Sequence, residues 1–261
     1  MNFKNLYLNV RKGWSITRGM NSFCNFLVLN YESAVKRFFF KQKNELVVNY
    51  KFQAPIGNIT LKQRLNQGSD MFIFSEIFLG QAYDIRLHST PKYILDLGAN
   101  VGYASIYFKK KYPEAKVVCV EPMENNLKTL KSNIGINGLA IEVLQGAVSD
   151  KSGTVFMETG IKDFNFIVGT TAANGVEVKA YSVDEIMDQF GWDDIDLLKI
   201  DIEGHEKLLL SSNCDWLNKV KNIVMEIHYP IYTLQDVRLL VEKYRFTGYA
   251  EHAGLFHLYR N

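Results

Sequence analysis

Cysteine is scarce in this chain: Cys24, Cys119 and Cys214 are the only three, odd in number, widely spaced and without a C-x-x-C pair. That pattern excludes a disulfide framework and a cysteine-rich zinc site, and it predicts small, buried, apolar thiols. Long apolar runs are missing as well. The longest candidate, Phe23 to Leu29, is interrupted by Cys24 and Asn25 and falls short of the roughly 18 to 20 residues that cross a bilayer. The N-terminus carries neither a continuous apolar segment nor a small-residue cleavage site, so it does not read as a secretory leader and the expected location is the cytoplasm. Internal repeats and low-complexity linkers are also lacking. What remains is 261 residues with 47% hydrophobic, 22% charged and 13% aromatic side chains. This is a globular composition, not a disordered, collagen-like or coiled-coil one.

The net charge of +2 conceals an asymmetry, since residues 1–43 carry eight Lys/Arg against the single acid Glu32, which leaves the remainder at 22 minus 27, or −5. The basic residues alternate with Phe3, Tyr7, Trp14, Phe23, Phe26, Tyr31 and the run Phe38 to Phe40. Such a segment suits peripheral contact with an anionic membrane. The plainer reading, favoured here, is a helical extension that covers part of the core with its lysines in solvent. No nucleic-acid partner is expected, because the rest of the chain is acidic and no binding motif accompanies the patch.

Leu46 to Phe52 and Ile59 to Leu65 flank the turn sequence Pro55-Ile56-Gly57-Asn58 and predict a hairpin. Helical spacing of Met71, Phe72, Phe74, Ile77 and Phe78 predicts a helix from Asp70 to about Gly80, with Ser69 as its cap. From Pro91 onward strands alternate with helices. Strands are expected at 93–97, 116–121, 141–148, 176–181, 195–201 and 222–228, with helices at 103–111, 124–134, 183–190, 206–210 and 234–243. That order predicts an α/β sandwich around a mainly parallel sheet, closed by an antiparallel edge from Arg245 to Arg260. The expected organisation is an N-terminal α/β extension, 1–90, and a catalytic domain, 91–261.

The stretch Asp96-Leu97-Gly98-Ala99-Asn100-Val101-Gly102 joins an apolar strand to an amphipathic helix through a glycine-rich turn. Gly98 and Gly102 permit a sharp turn and close approach to a ligand, while Asp96 puts a carboxylate near the strand tip. A dinucleotide fingerprint fails, because its glycine places hold Gly98, Asn100 and Tyr103. Nineteen residues after Gly102, Glu121 ends the second strand before Pro122, where a carboxylate can accept both hydroxyls of a ribose. Acidic groups at both tips favour a ligand that carries an ammonium or sulfonium and a ribose. S-adenosylmethionine has all three.

With Val120-Glu121-Pro122, Gly146-Ala147-Val148-Ser149-Asp150, Lys199-Ile200-Asp201-Ile202-Glu203-Gly204-His205-Glu206 and Met225-Glu226-Ile227-His228 added to the glycine turn, the chain resembles the FkbM-type family of S-adenosylmethionine-dependent methyltransferases. The resemblance implies a Rossmann-like, seven-stranded class I methyltransferase sandwich. It implies cofactor contacts from Asp96, Gly98, Ala99, Asn100, Gly102, Glu121, Pro122, Ala147 and Val148. It further implies an upstream acidic and aromatic helix, which Asp70, Glu76 and Tyr83 would supply, and O-methylation of a hydroxyl, often on a sugar or polyketide. His205 departs from the small apolar residue usual in the family.

Strand alternation places Asp201 with Glu203, and Glu226 with His228, on faces that meet at the mouth of the pocket. His228, tuned by Glu226, is the expected general base, and Asp201 is the rival base or positions the cofactor ammonium. Asp201, Glu203 and His228 together suggest a cation site only weakly, and no metal is expected. The preferred function is O-methylation of a carbohydrate acceptor in a glycan or glycolipid. Methylation of a small phenol or polyketide, or a non-catalytic binding module on the same fold, are the alternatives. The segment from Glu158 to Gly175, with Phe164 and Phe166, is the expected specificity loop. The oligomeric state is left open by the sequence.

Overall fold

The central strand β3 (Tyr93–Leu97) is apolar on both faces, as it must be to run through the middle of a sheet covered on each side. The computed structural model describes residues 11, 13–15, 17, 19–30, 47–64, 68–158, 168–169, 175–211 and 214–260. Upstream of β3 lie helix α1 (Met20–Asn30), the hairpin strands β1 (Val47–Ala54) and β2 (Gly57–Arg64), and helix α2 (Gly68–Phe74), which runs into a π-turn at Ser75–Leu79. Downstream come α3 (Tyr103–Lys111), β4 (Lys116–Glu121), α4 (Glu124–Ile136), β5 (Glu142–Gln145), β6 (Ala147–Val148), β7 (Gly153–Glu158), β8 (Val168–Gly169) and β9 (Gly175–Tyr181). The chain continues with α5 (Val183–Phe190), β10 (Leu197–Ile200), α6 (Glu206–Ser211), β11 (Asn222–Met225), α7 (Leu234–Lys243), β12 (Gly248–His252) and β13 (Leu255–Tyr259).

The main sheet has seven strands in the order β12-β13-β11-β10-β3-β4-β5. Strands β11, β10, β3, β4 and β5 are parallel, and β13 and β12 return antiparallel at one edge. The order reverses between β3 and β10, so a crevice opens at their carboxyl ends. This is the seven-stranded, Rossmann-like sandwich that the sequence reading expects. One apolar cluster packs α5, α6 and α7 on one face through Ile186, Leu209 and Leu240. The other face is covered by α3 together with the upstream hairpin and helices, through Phe26, Phe52, Phe74, Phe78 and Tyr107.

The hairpin is also tied to α4 by side chains that imitate a strand. Asn133 Oδ1 accepts from Lys62 N at 2.6 Å, and Asn137 accepts from Thr60 N at 3.0 Å while donating to Thr60 O at 2.6 Å.

Several expectations need correction. The stretch 141–148 is two strands, because the chain breaks at Gly146, where a Cβ would stand 2.6 Å from Lys179 O and from the Tyr181 ring. Past that break, β6 joins a second, four-stranded sheet in the order β6-β9-β7-β8, which the sequence reading did not anticipate. β10 and β11 stop at Ile200 and Met225, earlier than expected. Ser69 lies inside α2 and not at its cap. Cys119 and Cys214 are buried as expected, but Cys24 is exposed on α1. Phe38 to Phe40 and Phe164 and Phe166 lie outside the described residues. Among the described residues no helix is long and apolar enough to cross a membrane.

Candidate functional site: the crevice at the carboxyl ends of β3, β4 and β10

At the end of β3 the chain turns back under β4, with Gly98 N and Ala99 N both donating to Val120 O at 3.1 and 2.9 Å. Gly98 has a φ of +80°, and a Cβ there would stand 1.8 Å from the carbonyl oxygen of Asp201. Only glycine lets this turn lie against the end of β10. Gly102, at φ +84°, opens α3 and packs against Leu130 of α4.

Beneath the turn is a buried ionic knot. Lys199 Nζ donates to Gly98 O at 2.7 Å and stands 3.1 Å from Asp96 Oδ1 and 3.4 Å from Asp201 Oδ2, while Ser105 Oγ donates to the other oxygen of Asp96. Burial opposes the ammonium charge, but Asp96 and Asp201 outweigh it and hold Lys199 well above its ordinary range.

Two cavities meet over this knot. The first, of about 630 Å³, is walled by Gly98, Asn100, Glu121, Pro122, Ala147 and Val148, with Met157, Asn126, Ile202 and His205 completing it. Glu121 is almost fully buried and accepts from Asn100 N at 2.8 Å, Met123 N at 2.9 Å and Asn126 Nδ2 at 3.1 Å. Its pKa is raised, because burial outweighs those three donors. The second cavity, about 1040 Å³, lies on the α2 side and is walled by Phe72, Ile73, Glu76, Tyr83, Glu226 and His228. Gly98, Asn100, Asp201 and Glu203 border both.

Residues 96–247, more than half of the chain, match the family profile described as the Methyltransferase FkbM domain. The chain belongs to the FkbM methyltransferase family. Its curated relatives include the methyltransferase sdnD of Sordaria araneosa, 28% identical over 66% of this chain and 80% of that protein. The 31-O-demethyl-FK506 methyltransferase FkbM of Streptomyces tacrolimicus is 26% identical over 74% of this chain and 87% of its own. The hexuronic acid methyltransferase AglP of Haloferax volcanii is 24% identical over 56% and 60%, respectively. As an FkbM-family enzyme the chain uses S-adenosylmethionine as its methyl donor.

The residues present fit that donor. Glu121 offers carboxylate lone pairs to a ribose, Val120, Val148 and Met157 give the first cavity apolar walls, and carboxylates crowd the junction where cationic groups would lie. Six of the nine expected cofactor residues line the first cavity. The other three stand apart from it. Asp96 is buried beneath the turn against Lys199 and Ser105, Ala99 borders the second cavity, and Gly102 serves the backbone and the α3–α4 contact.

Asp201, Glu203, Glu226 and His228 do converge, though not by strand alternation. Glu203 sits beyond the strand at φ +55°, and Glu226 N is held by Ile200 O at 3.1 Å. His228 is tuned chiefly by Glu206, with Asp201 and Glu226 adding smaller contributions in the same direction. Its Nδ1 lies 3.0 Å from Glu206 Oε1, and its Nε2 lies 3.5 Å from Glu203 Oε2. The Glu206 hydrogen bond raises His228 to about 9, which favours the protonated ring at neutral pH and turns attention to the neighbouring carboxylates as the base. Glu203 and Glu226 are each raised to about 7, by burial first and the charge of Asp201 second. Glu76 is raised for the same two reasons.

Asp201, Glu203 and His228 offer ligand atoms within 4.8 Å of one another. A cation there would compete with the proton on His228, since a metal takes the neutral ring. Lys199 was part of a recognised motif but had no assigned role, because nothing in a sequence marks a lysine as buried. Phe72 and Asn126 were missed for a similar reason: one sits on a helix face that packing alone aims at the site, and the other on the first turn of α4.

The raised groups set a pH dependence of stability. Glu203 and Glu226 bind more protons folded than unfolded between their ordinary 4.5 and about 7, and His228 does so between 6.5 and about 9. All three contributions are present at the acid end and are lost as pH climbs through the folded values. His257, lowered to about 4 by burial, works the other way below its ordinary 6.5, so thermal melts of ligand-free protein at fixed ionic strength should show a falling midpoint from about pH 6.5 to about pH 9; a rise across that interval would contradict the assignment.

Proposed function

We propose that the enzyme transfers the methyl group to a hydroxyl of a sugar, in a glycan or glycolipid, with Glu226 taking the hydroxyl proton. One observation carries this reading: a second cavity opens onto the cofactor cavity and holds Glu226, whose pKa of about 7 matches proton abstraction at neutral pH. When bound, S-adenosylmethionine supplies an activated methyl group. The chain's own residues then have to seat the acceptor, align its oxygen and receive its proton.

Asp201 borders both cavities and is positioned to take the cofactor ammonium, while its negative charge helps hold Glu226 near 7. Protonated His228 ties Glu203 at the rim to the buried Glu206. Sugar hydroxyls suit Glu76, Glu203 and Glu226, which accept hydrogen bonds, and the apolar face of a pyranose suits the exposed ring of Phe72 at the mouth. AglP, a relative whose name states a hexuronic acid acceptor, supports the carbohydrate class.

Ile73 and Ile77, which add an apolar wall to the same cavity, favour a phenol or polyketide as the second reading. Contact of residues 1–43 with an anionic membrane belongs to the first reading, where it would bring a lipid-linked acceptor near the site.

Transfer of labelled methyl from S-adenosylmethionine to pools of neutral and acidic glycans and of phenols tests the acceptor class, and labelling confined to phenols would reverse the order of the two readings. Calorimetric titration with S-adenosylhomocysteine tests the cofactor site. Glu121→Ala should weaken binding by roughly 10- to 100-fold, the worth of hydrogen bonds to one charged group. Equal affinity of variant and wild type would remove the ribose assignment.

A further inference from the structure

Glu121 is oriented by a chain of side chains that begins outside the methyltransferase sheet. Asp70 of α2 is fully buried and Arg64 at the end of β2 is 3% exposed. Arg64 grips Asp70 with Nε (3.0 Å to Oδ2), Nη2 (2.6 Å to Oδ1) and its backbone N (2.9 Å to Oδ2). With that fork fixed, Nη1 donates to Asn126 Oδ1 at 3.0 Å. Guanidinium only donates and an ionised carboxylate only accepts, so the Asn126 amide has a single allowed orientation: Oδ1 toward Arg64 and Nδ2 toward Glu121 Oε1, at 3.1 Å. Asn100 N and Met123 N hold the remaining sides of the same carboxylate. Its free lone pairs are thereby aimed into the first cavity.

We propose that Arg64 is a positioning residue for the cofactor's ribose, acting through Asn126 on Glu121, so that the upstream hairpin sets cofactor affinity without touching the cofactor. The proposal rests on the reading that Glu121 accepts the ribose hydroxyls.

The substitution Arg64→Lys keeps a cation against Asp70 but lacks the planar fork, and so cannot hold both partners at once. The probes are S-adenosylhomocysteine and its 2′,3′-dideoxy analogue, titrated against the full chain. Wild type should prefer the hydroxylated ligand by at least about tenfold. Arg64→Lys should bind S-adenosylhomocysteine about five- to tenfold more weakly and the dideoxy analogue as wild type does. Asn126→Ala should behave alike, and adding Arg64→Lys to it should cost nothing further, because both act on one path.

Equal weakening of both ligands by Arg64→Lys would show a merely structural role and overturn the proposal, as would losses from the two substitutions that add. If Arg64→Lys does not fold, the half-buried Asn126→Ala decides, since undiminished ligand preference in that variant breaks the path. A wild type that does not distinguish the two ligands would instead overturn the ribose reading of Glu121 itself.

Discussion

Replacing Glu226 by Gln should lower kcat by roughly 10²- to 10⁴-fold, the usual contribution of a positioned base, while leaving S-adenosylhomocysteine affinity near that of wild type. Glutamine keeps the shape of the side chain and cannot take a proton. In wild type the rate should climb through about pH 7 as Glu226 ionises and decline above about pH 9 as His228 loses its charge and its hold on Glu203 and Glu206. The variant should lack the acid limb. Glu203, raised to a similar value, is the control: Glu203→Gln should shift the profile but retain most of the turnover. A Glu226→Gln enzyme within threefold of wild-type kcat would pass the role to another group, with Asp201 first in line.

Lys199→Met should be the most destabilising single change at the site. It strands two carboxylates, one fully buried, and the Gly98 carbonyl that the ammonium now serves. Breaking a buried pair in this way costs about 3 to 5 kcal/mol, or roughly 10 °C in the melting midpoint of a chain this size. Cofactor affinity should fall with it, since the glycine turn loses its anchor. Adding Asp96→Asn removes one of the stranded charges and should return part of the midpoint, a recovery that independent effects would not give. A Lys199→Met protein that melts like wild type would show that the knot is not what secures the turn.

The parts of this architecture that were legible in the sequence are those where pattern and local chemistry agree. β3, β4, α3, α5 and α7 fall where apolar periodicity and turn residues place them. The glycine turn and Glu121 could be read because a backbone constraint and a carboxylate recur at fixed spacing. The second sheet was not legible: β8 is only two residues long, and the break that creates β6 depends on Gly146 fitting beneath Tyr181. Side-chain roles were the least readable. Asp96 looked like a cofactor ligand because it ends near a strand tip, yet a lysine on the neighbouring strand β10, remote in sequence, claims it. His228 was read as a base tuned by Glu226, whereas Glu206, the first residue of α6, is its hydrogen-bond partner.

The asparagine pair on α4 has a consequence of another kind. A two-stranded hairpin normally presents a row of bare amides that invites a foreign chain to add itself as a third strand. Here the amides of Thr60 and Lys62 already face Asn137 and Asn133. A helix thus blunts a sticky edge with only two side chains, and protects the molecule against templated self-association at that border.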